Sequence, residues 1–167
     1  MTAEFAFDLA PDALVVLVGA SGSGKTTLCR RWPATARLSL DSYRAMATDS
    51  AADQSATTTA VQVQDLLLDA RLSRGLLTVV DSTGLQQHVR AHLLARARYW
   101  RRPAYAVLMQ VPLNLCLRRN ASRQRVVPVD VVAGQYRQVP TGQQFLAEGF
   151  TAADVVTALQ LGLPRPR

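Results

Sequence analysis

The run Ala13-Leu14-Val15-Val16-Leu17-Val18 leads directly into Gly19-Ala20-Ser21-Gly22-Ser23-Gly24-Lys25-Thr26, and Thr27-Leu28-Cys29-Arg30-Arg31-Trp32 follows. Apolar residues without alternation predict a strand buried on both faces, as in a parallel sheet. The glycines after it let the backbone curl so that successive N–H groups point inward at an anion. A helix beginning near Lys25 adds unpaired amides and the positive end of its dipole. Strand, Gly-rich turn, Lys, hydroxyl and helix start, in that order, are what a nucleoside-triphosphate phosphate loop requires. Gly19, Ser21, Gly22, Ser23, Gly24, Lys25, Thr26 and Thr27 are therefore the candidate nucleotide contacts. Lys25 is expected at the β/γ-phosphates and the Thr26 hydroxyl on Mg²⁺. An ordinary Gly/Ser turn before a helix is the bland alternative, and the agreement of the flanking elements speaks against it. Lys25 is also the only lysine, against eighteen arginines. A compact ammonium is kept where a guanidinium would not substitute for it.

Outward from this stretch, 167 residues with 49% hydrophobic content are enough for one domain with its own core. The expectation is a single domain over 1–167, with 1–10 and 160–167 peripheral. No apolar run has the length of a membrane span, and Met1 to Asp12 lacks the basic start and apolar centre of a signal peptide. Cys29 and Cys116 have neither metal spacing nor a disulfide framework, which suits buried residues of a reduced, cytoplasmic protein. A net charge of +7 favours polyanionic partners.

Along the chain, a possible edge strand over Glu4–Leu9 precedes the first strand. A helix is expected from Lys25 to Trp32, stopped by Pro33, and Ala36 to Leu40 reads as a second strand that delivers Asp41. Ser42 to Thr48 can open a helix, and the Ser, Thr and Asp of 49–59 read as a loop. Val63, Leu66, Leu67, Ala70 and Leu72 mark a helix over 60–74, closed by Gly75. Leu76 to Val80 is the third strand, ending at Asp81. Gln86 to Arg102 is a helix with Val89, Leu93, Leu94 and Ala97 inward and arginines outward. Ala104 to Val111 is the fourth strand, Leu113 to Ala121 a helix begun by Pro112, Pro128 to Gln138 another helix, and Asp154 to Leu159 a last strand. Strands alternating with helices predict an α/β fold, a parallel sheet of about five strands sandwiched by helices.

Ligands in such sheets bind at the carboxyl ends of the strands, and here three ends carry chemistry: the phosphate loop, Asp41 and Asp81. Asp41-Ser42-Tyr43-Arg44 puts a carboxylate and a guanidinium on one helical face. Asp41 can accept the proton of an attacking hydroxyl, with Arg44 on an acceptor or transferring phosphate. From these four residues alone, a helix cap paired with Arg44 is the stronger reading. Asp81 fits the strand-then-Asp pattern that holds Mg²⁺, or a turn-initiating Asp beside Ser82. Arg118-Arg119-Asn120-Ala121-Ser122-Arg123-Gln124-Arg125 can form a lid that neutralises transferring phosphate, or a solvated helix end. Arg96, Arg98, Arg101 and Arg102 read as a solvated face. His88 and His92 have i, i+4 spacing without a third ligand and read as surface residues.

Together, Leu17 to Thr27, Asp41-Ser42-Tyr43-Arg44, Asp53-Gln54, Thr78 to Thr83, Arg119-Asn120-x-x-Arg123 and Glu148-Gly149-Phe150 resemble the 5′-kinase module of polynucleotide kinases. The likeness is greatest to the kinase domain of bacterial RNA-repair polynucleotide kinase-phosphatases, and it covers about residues 10–160. Val127 to Val131 is similar to a stretch of the phage-type enzymes. The resemblance implies a P-loop kinase with an arginine-bearing lid. Asp41 would be the general base for a 5′-hydroxyl, Arg44 would lie on the acceptor-side or transferring phosphate, and Arg119 and Arg123 would clamp ATP, with Arg125 assisting. It thereby reverses the weighting on Asp41 from cap to base. The family's bacterial members add phosphatase and ligase domains, which these residues do not contain. Residues 134–147 carry less charge than the resemblance leads one to expect.

The functional expectation is an ATP- and Mg²⁺-dependent phosphotransferase acting on the 5′-hydroxyl of RNA or DNA. The alternative is a kinase of the same fold for a sugar, nucleoside or antibiotic. A GTPase or transporter-type ATPase loses support because neither an Asn-Lys-x-Asp nor a Leu-Ser-Gly-Gly-Gln sequence occurs.

Overall fold

The computed structural model describes residues 8–158. Five strands form one parallel sheet in the order β2-β3-β1-β4-β5: β1 (Leu14–Val18), β2 (Arg37–Leu38), β3 (Thr78–Asp81), β4 (Ala104–Gln110) and β5 (Ala152–Thr157). Between them lie α1 (Lys25–Cys29), α2 (Leu40–Thr48), α3 (Thr57–Ser73), α4 (Gln87–Tyr99), α5 (Leu113–Ala121), α6 (Val129–Arg137) and α7 (Gly142–Glu148).

The unbroken apolar character of β1 follows from its central position. Successive side chains point to opposite faces. Leu14, Val16 and Val18 pack with α3, α4 and Phe145 of α7, while Val15 and Leu17 pack with Leu28 and Cys29 of α1. A third cluster, Val111, Leu115, Cys116 and Val132, fastens α5 to α6 beyond the end of β4.

Several boundaries differ from the sequence expectation, each for a local reason. Glu4 to Phe7 of the possible edge strand lie outside the described residues, and Asp8 and Leu9 are not in a strand. Helix α1 ends at Cys29, three residues early, and tight turns carry the chain to Pro33. Strand β2 is short because Leu40 and Asp41 already belong to α2. The Ser/Thr-rich loop is partly helical. Asp53 accepts from the Ser55 amide at 2.9 Å and caps a 3-10 turn over Gln54–Ala56 that runs into α3. Helix α7 is not anticipated by the residue pattern, although its N-terminus is a capping box. Thr141 Oγ1 accepts from the Gln144 amide at 3.3 Å, and Gln144 Oε1 accepts from the Thr141 amide at 2.7 Å.

The arginines of α4 do not all face outward. Arg90 is buried and donates to both Glu148 oxygens, at 2.7 and 2.5 Å, and to the Gly84 and Leu85 carbonyls, each at 2.7 Å. Its guanidinium lies 5.4 Å from the Phe145 ring centre. This ion pair ties α7 to the turn after β3, which accounts structurally for Glu148. Arg96 pairs with Asp69 and Asp65 of α3, and Arg102 donates to Asp12 at 2.9 Å and the Leu72 carbonyl at 2.8 Å. These two brace neighbouring elements rather than forming a solvated face. His92 meets Asp65 at 2.9 Å, and no metal-binding group of three or more His, Cys, Asp or Glu occurs among the described residues. No described helix is long and apolar enough to cross a membrane.

Candidate active site

The turn from β1 to α1 lies at the carboxyl edge of the sheet, where the Gly19 amide donates to the Thr83 carbonyl at 3.0 Å and ties it to the end of β3. Gly22 has φ 83°, and a Cβ there would run into the Cys116 carbonyl of α5. Both the conformation and the closeness of α5 therefore require glycine. Lys25 curls over the loop, with Nζ donating to the carbonyls of Gly19 at 2.7 Å and Ala20 at 2.8 Å, and to Ser23 Oγ at 3.4 Å. Burial is the main cause that lowers its pKa to about 8; Asp81 opposes the shift and Arg123 adds to it.

Beside the loop, the Thr26 hydroxyl bonds the Asp81 carboxylate. Burial raises the Asp81 pKa, with Thr26 and Lys25 pulling it back. A hydroxyl and a half-buried carboxylate in contact form a hard oxygen donor set that fits Mg²⁺, an ion that takes only one or two protein ligands beside phosphate and water. The buried Ser82 Oγ, without a hydrogen-bond partner among the described residues, adds a third oxygen nearby in the chain.

Asp41 lies in the first turn of α2. Arg44, one turn later, donates through Nη2 to Asp41 Oδ1 and through Nε to the Ala51 carbonyl at 3.0 Å. The Arg44 side chain is 8% exposed and that of Asp41 63%. The guanidinium is thus committed within the protein and the carboxylate remains open. The structure departs here from a simple cap: no side-chain cap bond forms at the start of α2, and its N-cap residue is Ser39.

One cavity of about 910 Å³ gathers Ser21, Lys25, Thr26, Asp41, Arg44, Asp81 and Arg123, with Arg37, Met46, Leu67, Arg71, Ser82 and Thr83 also on its wall. Thr27 lies in α1, and Arg119 in the last turn of α5 with a buried Nη1 that lacks a partner; neither lines this cavity. Arg125 reaches the Ala51 carbonyl at 3.3 Å, the same oxygen that Arg44 bonds. It joins the arginine segment to the loop after α2.

Sequence reasoning gave no role to two residues that shape this site, although it quoted Asn120 within the Arg119-Asn120-x-x-Arg123 group. Asn120 is buried and grips Val127 twice, Nδ2 donating to its carbonyl at 2.7 Å and Oδ1 accepting from its amide at 3.0 Å. The intervening loop, which carries Arg123 and Arg125, is closed by this clamp. Gln135 of α6 accepts through Oε1 from the Ser21 amide at 2.8 Å. The first had a signal, an Asn between two arginines; the second had none in the local sequence.

A family model described as an AAA domain matches residues 14–141. The chain belongs to that family. No curated protein sequence matches this AAA domain chain. Among solved structures, one chain of the Pnkp1/Rnl/Hen1 RNA repair complex is similar over about half of its own length. The TM-score is 0.68 at 19% identity, over 88% of this chain and 48% of that one. A candidate kinase from Chloroflexus aurantiacus gives a TM-score of 0.66 at 16% identity, over 90% of this chain and 89% of that one. A sugar kinase from Janibacter gives 0.61 at 18% identity, over 91% and 87%. At these identities the likeness is one of fold: this AAA domain has the P-loop kinase fold, a nucleotide-binding architecture.

Proposed function

We propose that the chain is one kinase domain that transfers the γ-phosphoryl group of ATP, with Mg²⁺, to the 5′-hydroxyl end of a polynucleotide. The observation that carries the proposal is the shared cavity. An exposed carboxylate, Asp41, faces the same space as the phosphate loop, Asp81 and Arg123. A module that only held nucleotide would have no use for an open carboxylate held in position by a buried arginine.

In this reading, Asp41 takes the proton of the attacking hydroxyl as the new O–P bond forms and the bond to the β-phosphate oxygen breaks. Arg44 acts as a positioning residue, fixing the carboxylate through the bond it already makes. The loop amides from Gly22 to Thr27 receive the phosphates. Lys25 exchanges the Gly19 and Ala20 carbonyls for β/γ-phosphate oxygens. Arg123, and Arg119 behind it, bring cations to the charge that spreads over the transferring group. Thr26 and Asp81 would hold Mg²⁺, which supplies further neutralisation of the phosphates when bound. A cytoplasmic setting suits this chemistry.

The polynucleotide reading, rather than a small alcohol, is supported by the net charge of +7 and by the Arg119-Asn120-x-x-Arg123 group. Label from γ-labelled ATP should enter a 5′-hydroxyl oligonucleotide and not its 5′-phosphorylated twin. Acceptor affinity should fall steeply with salt. Label that enters neither oligonucleotide but does enter a nucleoside or sugar would replace this reading with the small-molecule kinase.

A further inference from the structure

The turn after β3 is held from two sides. Ser82 and Thr83 stand on the wall of the cavity. The Thr83 carbonyl accepts from the Gly19 amide at 3.0 Å, which fixes the first residue of the phosphate loop. Gly84, with φ 59°, lies so close to β1 that a Cβ would come within 2.8 Å of Val18 Cγ2. From the protein interior, Arg90 Nη1 donates to the Gly84 and Leu85 carbonyls, each at 2.7 Å.

Arg90 divides its donors between two tasks. Nη1 bonds the turn, while Nε and Nη2 bond the Glu148 carboxylate at 2.7 and 2.5 Å. The Arg90 side chain is 3% exposed and not on the cavity wall, so it acts on the site through the turn and not by contact. For stability alone, a buried ion pair has no advantage over well-packed apolar residues of similar volume, because its desolvation offsets its attraction. An apolar pair would, however, leave two successive carbonyls without their donor. Their convergence on one nitrogen fixes the peptide planes on either side of Leu85.

We infer that Arg90 is a positioning residue for phosphoryl transfer, setting the turn over residues 82–85 and, through Thr83, the entry to the phosphate loop. The inference rests on the phosphotransferase reading of the cavity. The relay is short: one hydrogen bond from Arg90 to Gly84, one peptide unit to Thr83 and one hydrogen bond to Gly19. Asp81 and Ser82 immediately precede Thr83, so the same turn governs how the end of β3 meets the phosphates. A misplacement of about 1 Å, caused by a change remote from the chemistry, can cost about 100-fold in rate. Glu148 is then the counter-ion that permits the guanidinium to be buried.

Two variants of the intact chain separate holding the fold from holding the turn. Arg90→Gln removes the donor of the turn, whereas Glu148→Gln leaves Arg90 an acceptor and keeps the Nη1 bonds. Both break the buried ion pair, and each should lower the thermal midpoint by about 10 °C. Turnover of γ-labelled ATP with a 5′-hydroxyl oligonucleotide is measured at saturation, well below both midpoints. It should fall about 10- to 100-fold in Arg90→Gln and less than about threefold in Glu148→Gln, with ATP affinity within about twofold of wild type in both. Arg90→Lys, with one ammonium for the two tasks, should recover part of the turnover and carries the same comparison if Arg90→Gln does not fold. Hydrogen exchange of the Gly19 amide reads the relay without any substrate. Relative to the Val16 amide in the middle of β1, it should speed up about tenfold in Arg90→Gln and stay unchanged in Glu148→Gln. Equal losses of turnover in the two variants, or full turnover in a destabilised Arg90→Gln, reduce Arg90 to a structural tie and overturn the inference. Gly19 exchange that keeps step with Val16 in Arg90→Gln overturns it too. Absence of label transfer by the wild type is a separate result: it sinks the polynucleotide reading, and the Gly19 exchange still decides whether Arg90 sets the loop.

Discussion

Gln135 and Ser21 lie 114 residues apart in sequence and are joined by a 2.8 Å hydrogen bond between the Gln135 side-chain oxygen and the Ser21 amide. Through it, helix α6 holds one N–H of the phosphate loop. The neighbouring glycine is pressed against the Cys116 carbonyl of α5. The loop is therefore shaped from outside by the two helices that flank the arginine segment, and the cluster of Leu115, Cys116 and Val132 keeps those helices together.

The Gln135 bond gives a charge-sensitive test. Gln135→Glu keeps the size and an acceptor oxygen but sets a carboxylate beside the loop that receives a triphosphate. ATP affinity should fall about tenfold in Gln135→Glu, in line with an added like charge in a partly desolvated site. Gln135→Ala, which removes the bond without adding charge, should cost about 1 kcal/mol of stability and little ATP affinity. Titration with ATP and thermal unfolding distinguish the two. Equal affinity in Gln135→Glu and wild type would mean that α6 leaves the loop before nucleotide binds.

Asp41→Asn preserves the shape and an oxygen for Arg44 while removing the proton acceptor. Turnover should drop by roughly 10²–10⁴-fold, and ATP affinity should change by less than about twofold. Steady-state kinetics with a direct ATP titration reads both. Arg44→Met should lower turnover as well, since the exposed carboxylate then loses the only side-chain hydrogen bond it has among the described residues. Undiminished turnover in Asp41→Asn would remove Asp41 from the role of base.

Asn120 makes a structural claim on catalysis. Asn120→Ala leaves the Val127 amide and carbonyl without their partner and frees the loop that carries Arg123 and Arg125. The expected cost is about 1–3 kcal/mol of stability together with a fall in turnover. Asn120→Asp retains the acceptor for the Val127 amide and loses the donor, so it should lie between. Thermal midpoints and turnover measured in parallel settle whether the two losses travel together; loss of stability with full turnover would detach the arginine loop from the chemistry.

What was legible in the sequence was what depends on near neighbours. The six apolar residues before Gly19 announced a central parallel strand, and Pro112 marked the first turn of α5, whose bounds Leu113–Ala121 match the expectation. The coming together of Lys25, Asp41 and Asp81 followed from strand ends sharing one edge of the sheet. Contacts made across the fold were hidden. Arg90 looked like one more surface arginine, because nothing near it in sequence reveals Glu148. Gln135 looked like an unremarkable helix residue. The direction of Arg44 was also hidden: spacing put it on the same face as Asp41, but only packing shows it turned inward.

Lys25 gives the last prediction, on pH. With its pKa lowered from 10.5 to about 8 by burial, the unfolded chain binds the extra proton between those values. Stability of the nucleotide-free protein should therefore rise as pH increases from about 8 to 10.5, the penalty for the buried ammonium being fully present below 8. Nucleotide reverses the effect, because phosphate oxygens favour the charged amine. Binding of ATP above pH 8 should then take up a proton, and affinity should weaken by up to about tenfold for each further pH unit. Calorimetry in buffers of different ionisation enthalpy measures that proton directly. Lys25→Met, which binds more weakly throughout, should show no uptake across this window. An uptake that persists in Lys25→Met would assign the titration to another group, and a flat wild-type profile from pH 7 to 9.5 would show that the amine is solvated rather than desolvated in the empty loop.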